Sequence, residues 1–370
     1  MASSAEKRQQ HLPNMYSATS APPPTPSSQP NGNQLSSSAA ADALSRLLHR
    51  LPPKLSLPTR RSAPPTSPSL ISLSDPNSID LLLSASSQDG FFQLTDHNIT
   101  SQLVNSSESE SLSLFKLTRD QKGSYFPKNW PLGFEDDEDG NGESFWLDAE
   151  FSTESAELSL SSLRELTRSL EKVGLEIIEM LSRAAGFENP LKEDPTQICS
   201  LMVVHEGSYA EDKPAISGGF YPYIVGLQYQ IRIQKFSLLA DSGWVAVLPQ
   251  VDSVMVTVGD IAQVWSNGNL KKVRGRPLAC MGDGNSSRCI SMTLLLTLPT
   301  ESTVSPLLPD ETVNGYHDDN GNEIREEEDE EHGKKEERLF SSFSFEDYAW
   351  KVYHEPLLFK DPLDKYRISS

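Results

Sequence analysis

The sequence predicts a mainly β domain, antiparallel and folded as two layers or a barrel, with helices ahead of it. Short apolar runs of strand length recur between residues 201 and 299: LMVVH, VGLQYQIRI, FSLLA, WVAVLP, SVMVTVGD and CISMTLLLTLP, parted by Gly, Pro and Asp-Ser-Gly breaks. Ahead of them, residues 158–185 place Leu163, Leu166, Leu170, Val173, Ile177, Ile178 and Leu181 at helical spacing, and Gly186 follows as a stop. A chain of 370 residues that is 36% hydrophobic supports one large core with unfolded additions.

In chain order, residues 1–66 form a leader dominated by Ser, Pro and Gln, whose one apolar cluster, ALSRLLHRL, has the length of a single helix. Folded texture begins near Ile71, where SIDLLLSASSQDGFFQLTDHNI reads as an amphipathic helix, a turn at Asp89-Gly90 and a strand from Phe91 to Leu94. Residues 67–194 thus make an N-terminal α/β part containing the long helix, and residues 195–300 the β core. A dense acidic run, HDDNGNEIREEEDEEHGKKEER, marks residues 301–340 as a solvated insert, because like charges at that density repel one another. Residues 341–370 bring a last apolar segment and a tail.

The formal net charge of -20 argues against nucleic acid as a partner, since non-specific binding neutralises phosphates with Lys and Arg. Three cysteines, Cys199, Cys280 and Cys289, without C-x-x-C spacing suit a reducing compartment and offer no thiolate metal site. No apolar h-region opens the chain and no long uncharged apolar run follows, so neither secretion nor a membrane is expected. The cytoplasm is the expected location and the nucleus is open to it; an organellar transit peptide shares the leader's composition and is the less favoured reading.

Motifs that carry chemistry are scarce. Asp137-x-Asp139-x-Asn141-Gly142 with Asp148 has calcium-loop spacing, yet Pro127, Pro131 and Gly133 stand where an entering helix belongs, which favours an acidic surface loop. His317-x-Asp319 pairs an imidazole with a carboxylate but sits in the acidic insert, without a rigid scaffold. No nucleophile elbow, P-loop or dinucleotide fingerprint is present.

The stretch GFFQLTDHNI (90–99) is similar to the G-F-F-Q-x-x-N-H-G-I signature of the plant iron(II)/2-oxoglutarate-dependent dioxygenases, the isopenicillin N synthase-like family. The resemblance continues through the long helix, GWVAVLPQVDSVMVTVGDIAQVWSNG (243–268) and DPLDKYRI near the end. It implies a double-stranded β-helix core of jelly-roll or cupin type with an α-helical N-terminal part. It also implies iron held by His-x-Asp and a second His, leaving open positions for 2-oxoglutarate and dioxygen, with Arg-x-Ser gripping the co-substrate's carboxylate.

Matched residue by residue, this chain departs from that pattern. The His-x-Asp region meets VGLQYQIRIQKFSLLAD, with Tyr229 at the first His and Ile231 at the Asp, and in SNGNLKKVRGRP Gly275 stands at the second His. Arg288 and Ser291 form a degenerate Arg-x-Ser, three apart rather than two. No iron or 2-oxoglutarate is therefore expected, and these departures from the family's pattern point to an inactive dioxygenase-like protein that acts by binding a small acid or a protein. Tyr229, Arg232, Arg274, Arg276 and Arg288 are its candidate ligand contacts, with Lys271, Lys272, Arg274 and Arg276 alternatively a solvated basic face. The competing expectation is an active oxygenase that uses Fe(II) and 2-oxoglutarate through atypical ligands such as His205 and Glu206, although neighbours on a strand face opposite sides.

Overall fold

Alternate residues of a strand face opposite sides, so a strand buried at every position must be covered on both. Val225–Tyr229 is buried throughout, and Val254–Val258 nearly so; the fold supplies helices on one side of them and a second sheet on the other. This geometry comes from a computed structural model, which describes residues 65–137, 142–149, 158–192, 197–207, 220–280, 289–307, 338–355 and 361–368. All of them fall in the unit Ser62–Ser370.

The chain runs through β1 (Leu70–Ser72), α1 (Ser78–Gln88), β2 (Phe91–Thr95), α2 (Ser101–Phe115), α3 (Arg119–Tyr125) and the hairpin strands β3 (Gly133–Asp137) and β4 (Gly142–Asp148). Next come the long helix α4 (Ser161–Ala185), then β5 (Cys199–Gly207), β6 (Val225–Tyr229), β7 (Gln234–Ala240), β8 (Gly243–Val247) and β9 (Val254–Val258). After α5 (Asp260–Trp265), β10 (Arg274–Cys280) and β11 (Cys289–Thr297), the short pair β12 (Thr303–Val304) and β13 (Phe343–Ser344) leads into α6 (Phe345–His354) and a closing 3-10 turn, Pro362–Tyr366.

Eight strands form one sheet in the order β1-β2-β9-β6-β11-β5-β4-β3, antiparallel except for the parallel pair β1 and β2. A second sheet has the order β10-β7-β8. Phe91 and Met255 from the large sheet meet Phe236, Leu238 and Val247 from the small one, with Val273 beside them, in an interior cluster that joins the two sheets into a barrel.

The other face of the large sheet carries the main core. Every apolar position expected of the long helix is buried, and Gly174 of α4 lies so close to Leu296 and Leu227 that the helix must lie across β11 and β6. Two features bound that helix. The Glu110 carboxylate, reaching from α2, accepts from the backbone amides of Ser162 (3.1 Å) and Leu163 (2.9 Å), which have no partner within the helix. At its end Gly186 takes a left-handed conformation, φ 78°, which a Cβ disfavours, and its amide returns to the Ser182 carbonyl.

The expected strands appear, with bounds moved by tertiary contacts. The run 225–233 stops at Tyr229, leaving Ile231 in the following turn, and Asp260, at the end of SVMVTVGD, begins α5. The calcium-loop spacing belongs to the β3–β4 hairpin: Asp137 pairs with Gly142, while Asp148 lies six residues further along β4, about 20 Å at strand rise. Asp139 and Asn141 lie outside the described residues, as do His317 and Asp319 with most of the acidic insert, and most of the leader.

Candidate functional site

The place for a site is the barrel interior. A cavity of about 50 Å³ there is lined by Gly226, Gln228, Phe236, Leu238, Gly275 and Thr293, among others. A drug-sized ligand site needs several hundred cubic ångströms, whereas this space matches a few waters.

Its polar groups are already engaged with one another. Thr293 on β11 donates its hydroxyl to Gln228 Oε1 on β6 at 2.8 Å, and Gln228 Nε2 donates to Gln234 Oε1 on β7 at 3.1 Å, so the chain of bonds passes from the large sheet to the small one. The Tyr223 hydroxyl donates to the Val273 carbonyl at 2.7 Å, and burial pushes its phenol well above the usual range. No carboxylate or imidazole is among the described lining residues.

Of the positions matched to metal ligands, only Gly275 reaches this cavity. Gly226 and Gln228 are the cavity-facing residues of β6, and strand alternation turns Tyr229 away from them. Tyr229 instead donates to Asp252 Oδ1 at 3.0 Å and meets the His97 ring edge-on; burial and that carboxylate push its phenol up to about 12. Ile231 packs against the outer core. Tyr229 and Ile231, matched to ligand positions by counting back from Asp241, therefore do not line this cavity.

Arg232, one of the proposed ligand contacts, is committed elsewhere too, forking onto Glu108 of α2 at 2.5 and 2.8 Å. Ser291 shares a face of β11 with cavity-lining Thr293, and Arg288 lies outside the described residues. Of Arg276 only the backbone is described, pairing with Ser237. His205 is paired in register with Ser291 and Ser144, and the adjacent Glu206 points to the opposite face. Among the described residues no group of three or more His, Cys, Asp and Glu could hold a metal ion. Among the described residues, then, no set of side chains fits iron.

The basic stretch is not the solvated face its charge suggests. Lys271 is exposed, but Lys272 and Arg274 are 3% and 4% exposed. Arg274 forks onto Asp260, donating through Nε at 3.2 Å and more closely through Nη2, and it also donates to the Tyr348 hydroxyl (2.9 Å) and Asp361 (3.0 Å). Tyr348 donates in turn to Asp260, and Lys272 pairs with Asp361. Burial opposes the charge on Arg274, but Asp260 with Tyr348 and Asp361 outweighs it and holds the guanidinium protonated. These groups tie β10 and α5 to α6 and the closing turn. The sequence points to the cations but not to Asp260, Tyr348 and Asp361, whose partners lie far away along the chain.

Burial works to raise the Asp361 carboxyl, but Arg274 and Lys272 overcome it and hold the group at about 2, against an ordinary 3.8. A depressed carboxylate stabilises the fold fully above its unfolded value and loses that contribution as pH falls through the folded one. Asp361→Asn is therefore expected to cost on the order of 2 kcal/mol at neutral pH. In urea titrations the gap to wild type should hold down to about pH 4 and close toward about pH 2; a gap that ignores pH would refute the assignment.

No protein-family model matches the chain. Gibberellin 2-beta-dioxygenase 2 of Arabidopsis thaliana is 25% identical over 265 residues, covering 64% of this chain and 76% of that protein. Gibberellin 2-beta-dioxygenase 1 of Pisum sativum is 27% identical over 264 residues, covering 64% and 79%. Among solved structures, JOX2 in complex with 2OG, Fe and JA superposes with a TM-score of 0.60 at 16% identity, covering 83% of this chain and 90% of that one. The dioxygenase for auxin oxidation from rice does so with 0.59 at 17% identity, covering 82% and 100%. The chain thus resembles plant 2-oxoglutarate- and iron-dependent dioxygenases in sequence and has the double-stranded β-helix fold of such oxygenases. No described helix is long and apolar enough to cross a membrane.

Proposed function

We propose that this dioxygenase-like chain has given up catalysis and acts by binding, with a protein rather than a small acid as its partner. The observation that carries the proposal is the barrel interior, where Gln228, Thr293 and Gly275 stand among apolar side chains with no carboxylate or imidazole among the described lining residues. Iron's coordination by protein comes from such groups, and the affinity they supply goes with them. A small acid is disfavoured by the cavity of about 50 Å³ and by the engagement of Arg232 and Arg274 elsewhere. A fold shared with enzymes does not by itself bring their activity.

The test is metal analysis of protein purified anaerobically, with oxygen uptake measured in the presence of 2-oxoglutarate. Iron far below one per chain, no coupled uptake and no rise in Tm with added 2-oxoglutarate are expected. Tight one-to-one Fe(II) with 2-oxoglutarate turnover would establish the active oxygenase instead.

A further inference from the structure

Gly275 and Leu238 stand opposite each other in the antiparallel pairing of β10 and β7. A Cβ built on Gly275 would meet Leu238 Cδ2 at 2.2 Å and the Ser237 carbonyl oxygen at 2.9 Å. Leu238 is buried and held in place by Phe91, Phe236, Val247, Met255 and Val273. The glycine therefore does more than omit a side chain, because its neighbour occupies the room that a side chain would need. From the same cavity lining, the Thr293–Gln228–Gln234 hydrogen bonds already join the two sheets.

We infer that the barrel is closely packed at Gly275, with Leu238 filling the volume of a residue 275 side chain, so that placing an imidazole there disrupts packing and does not create a metal site. The inference rests on the non-catalytic reading and sharpens it: the interior disagrees with the iron and 2-oxoglutarate of similar proteins in its packing as well as in its donor atoms. The space that remains suits solvent-sized neutral molecules. Extra atoms forced into a close-packed interior drive neighbours off their rotamers, and the penalty falls when the opposing side chain is shortened.

The full-length chain and its Gly275→Ala, Gly275→His, Leu238→Ala and Leu238→Ala/Gly275→His variants are compared by thermal unfolding and by Co(II) absorption spectra. Gly275→His is expected to lower Tm by several degrees, and the double variant to lose less than the sum of its single changes, because the two positions compete for one volume. Neither Gly275→His nor wild type should take up Co(II) stoichiometrically. Should Gly275→His fail to fold, Gly275→Ala with and without Leu238→Ala supplies the same comparison, since the Cβ alone makes the contact. An unchanged Tm in Gly275→Ala and Gly275→His, additive losses in the double variant, or one Co(II) per chain in Gly275→His would each overturn the inference. Iron bound by wild type through other residues sinks the non-catalytic reading while leaving the packing comparison to stand or fall on its own.

Discussion

Asp260→Ala is expected to destabilise the folded chain by about 3–5 kcal/mol, the cost of breaking a buried ion pair from one side. Asp260 is 1% exposed and receives both the Arg274 guanidinium and the Tyr348 hydroxyl. Removing its carboxylate leaves the cation buried with Asp361 as the remaining counter-charge and Tyr348 without its acceptor. The charge imbalance, rather than the lost bonds, dominates, so removing the cation as well should restore stability. Asp260→Ala/Arg274→Met should therefore be more stable than Asp260→Ala alone, despite carrying two changes. Urea unfolding of the three proteins measures this directly, and a double variant that is weaker than the single one would refute it. Because the network reaches α6 and Asp361, proteolysis near the C-terminal segment should increase in Asp260→Ala.

Gly259→Ala is expected to cost about 3 kcal/mol or more, at or beyond the upper end of overpacking changes. The added Cβ would lie 1.9 Å from the Tyr223 carbonyl oxygen and 2.6 Å from its carbonyl carbon, and backbone cannot swing aside as a side-chain tip can. The approach is held close from both directions: the Gly259 amide donates to the Ile224 carbonyl at 2.9 Å, and the Ile261 amide donates to the Tyr223 carbonyl at 3.2 Å. Gly123→Ala in α3 is the control, since a Cβ there has nothing within 4 Å. It should be neutral or stabilising by up to roughly 1 kcal/mol, the helical preference for Ala over Gly. Equal losses in the two variants would show that the close approach at Gly259 does not matter.

These two residues lie in one dipeptide of the V-T-V-G-D stretch that marks the family resemblance, and both serve the scaffold. Gly259 lets the chain turn from β9 into α5 against the backbone of 223–224, and Asp260 anchors the cation that secures the C-terminal segment. In this chain the motif's residues thus answer to packing and charge burial.

How much was legible in the sequence depended on the range of the interaction. The long helix, the turn at Gly90 and strands β5 to β9 and β11 follow from local periodicity and breakers, which neighbours along the chain determine. The β3–β4 hairpin escaped because its acidic, Gly-containing run also has the spacing of an ion-binding loop, and only pairing with β5 turns it into sheet. That Tyr229 faces away from the cavity was not legible because a pattern count carries no strand face: a single position's shift flips a side chain from the cavity to the opposite side.

By itself the sequence determined the β-rich class, the long amphipathic helix, the glycine at 275 and the three-residue separation of Arg288 and Ser291, since residue identity and short-range periodicity need no third dimension. Tertiary structure alone decided that Lys272 and Arg274 are buried and paired rather than a solvated face, that Gln228 instead of Tyr229 lines the barrel, and that Leu238 occupies the room beside Gly275. Each of these depends on which distant segment arrives opposite a residue, and burial, counter-charge and free volume exist only once that partner is in place.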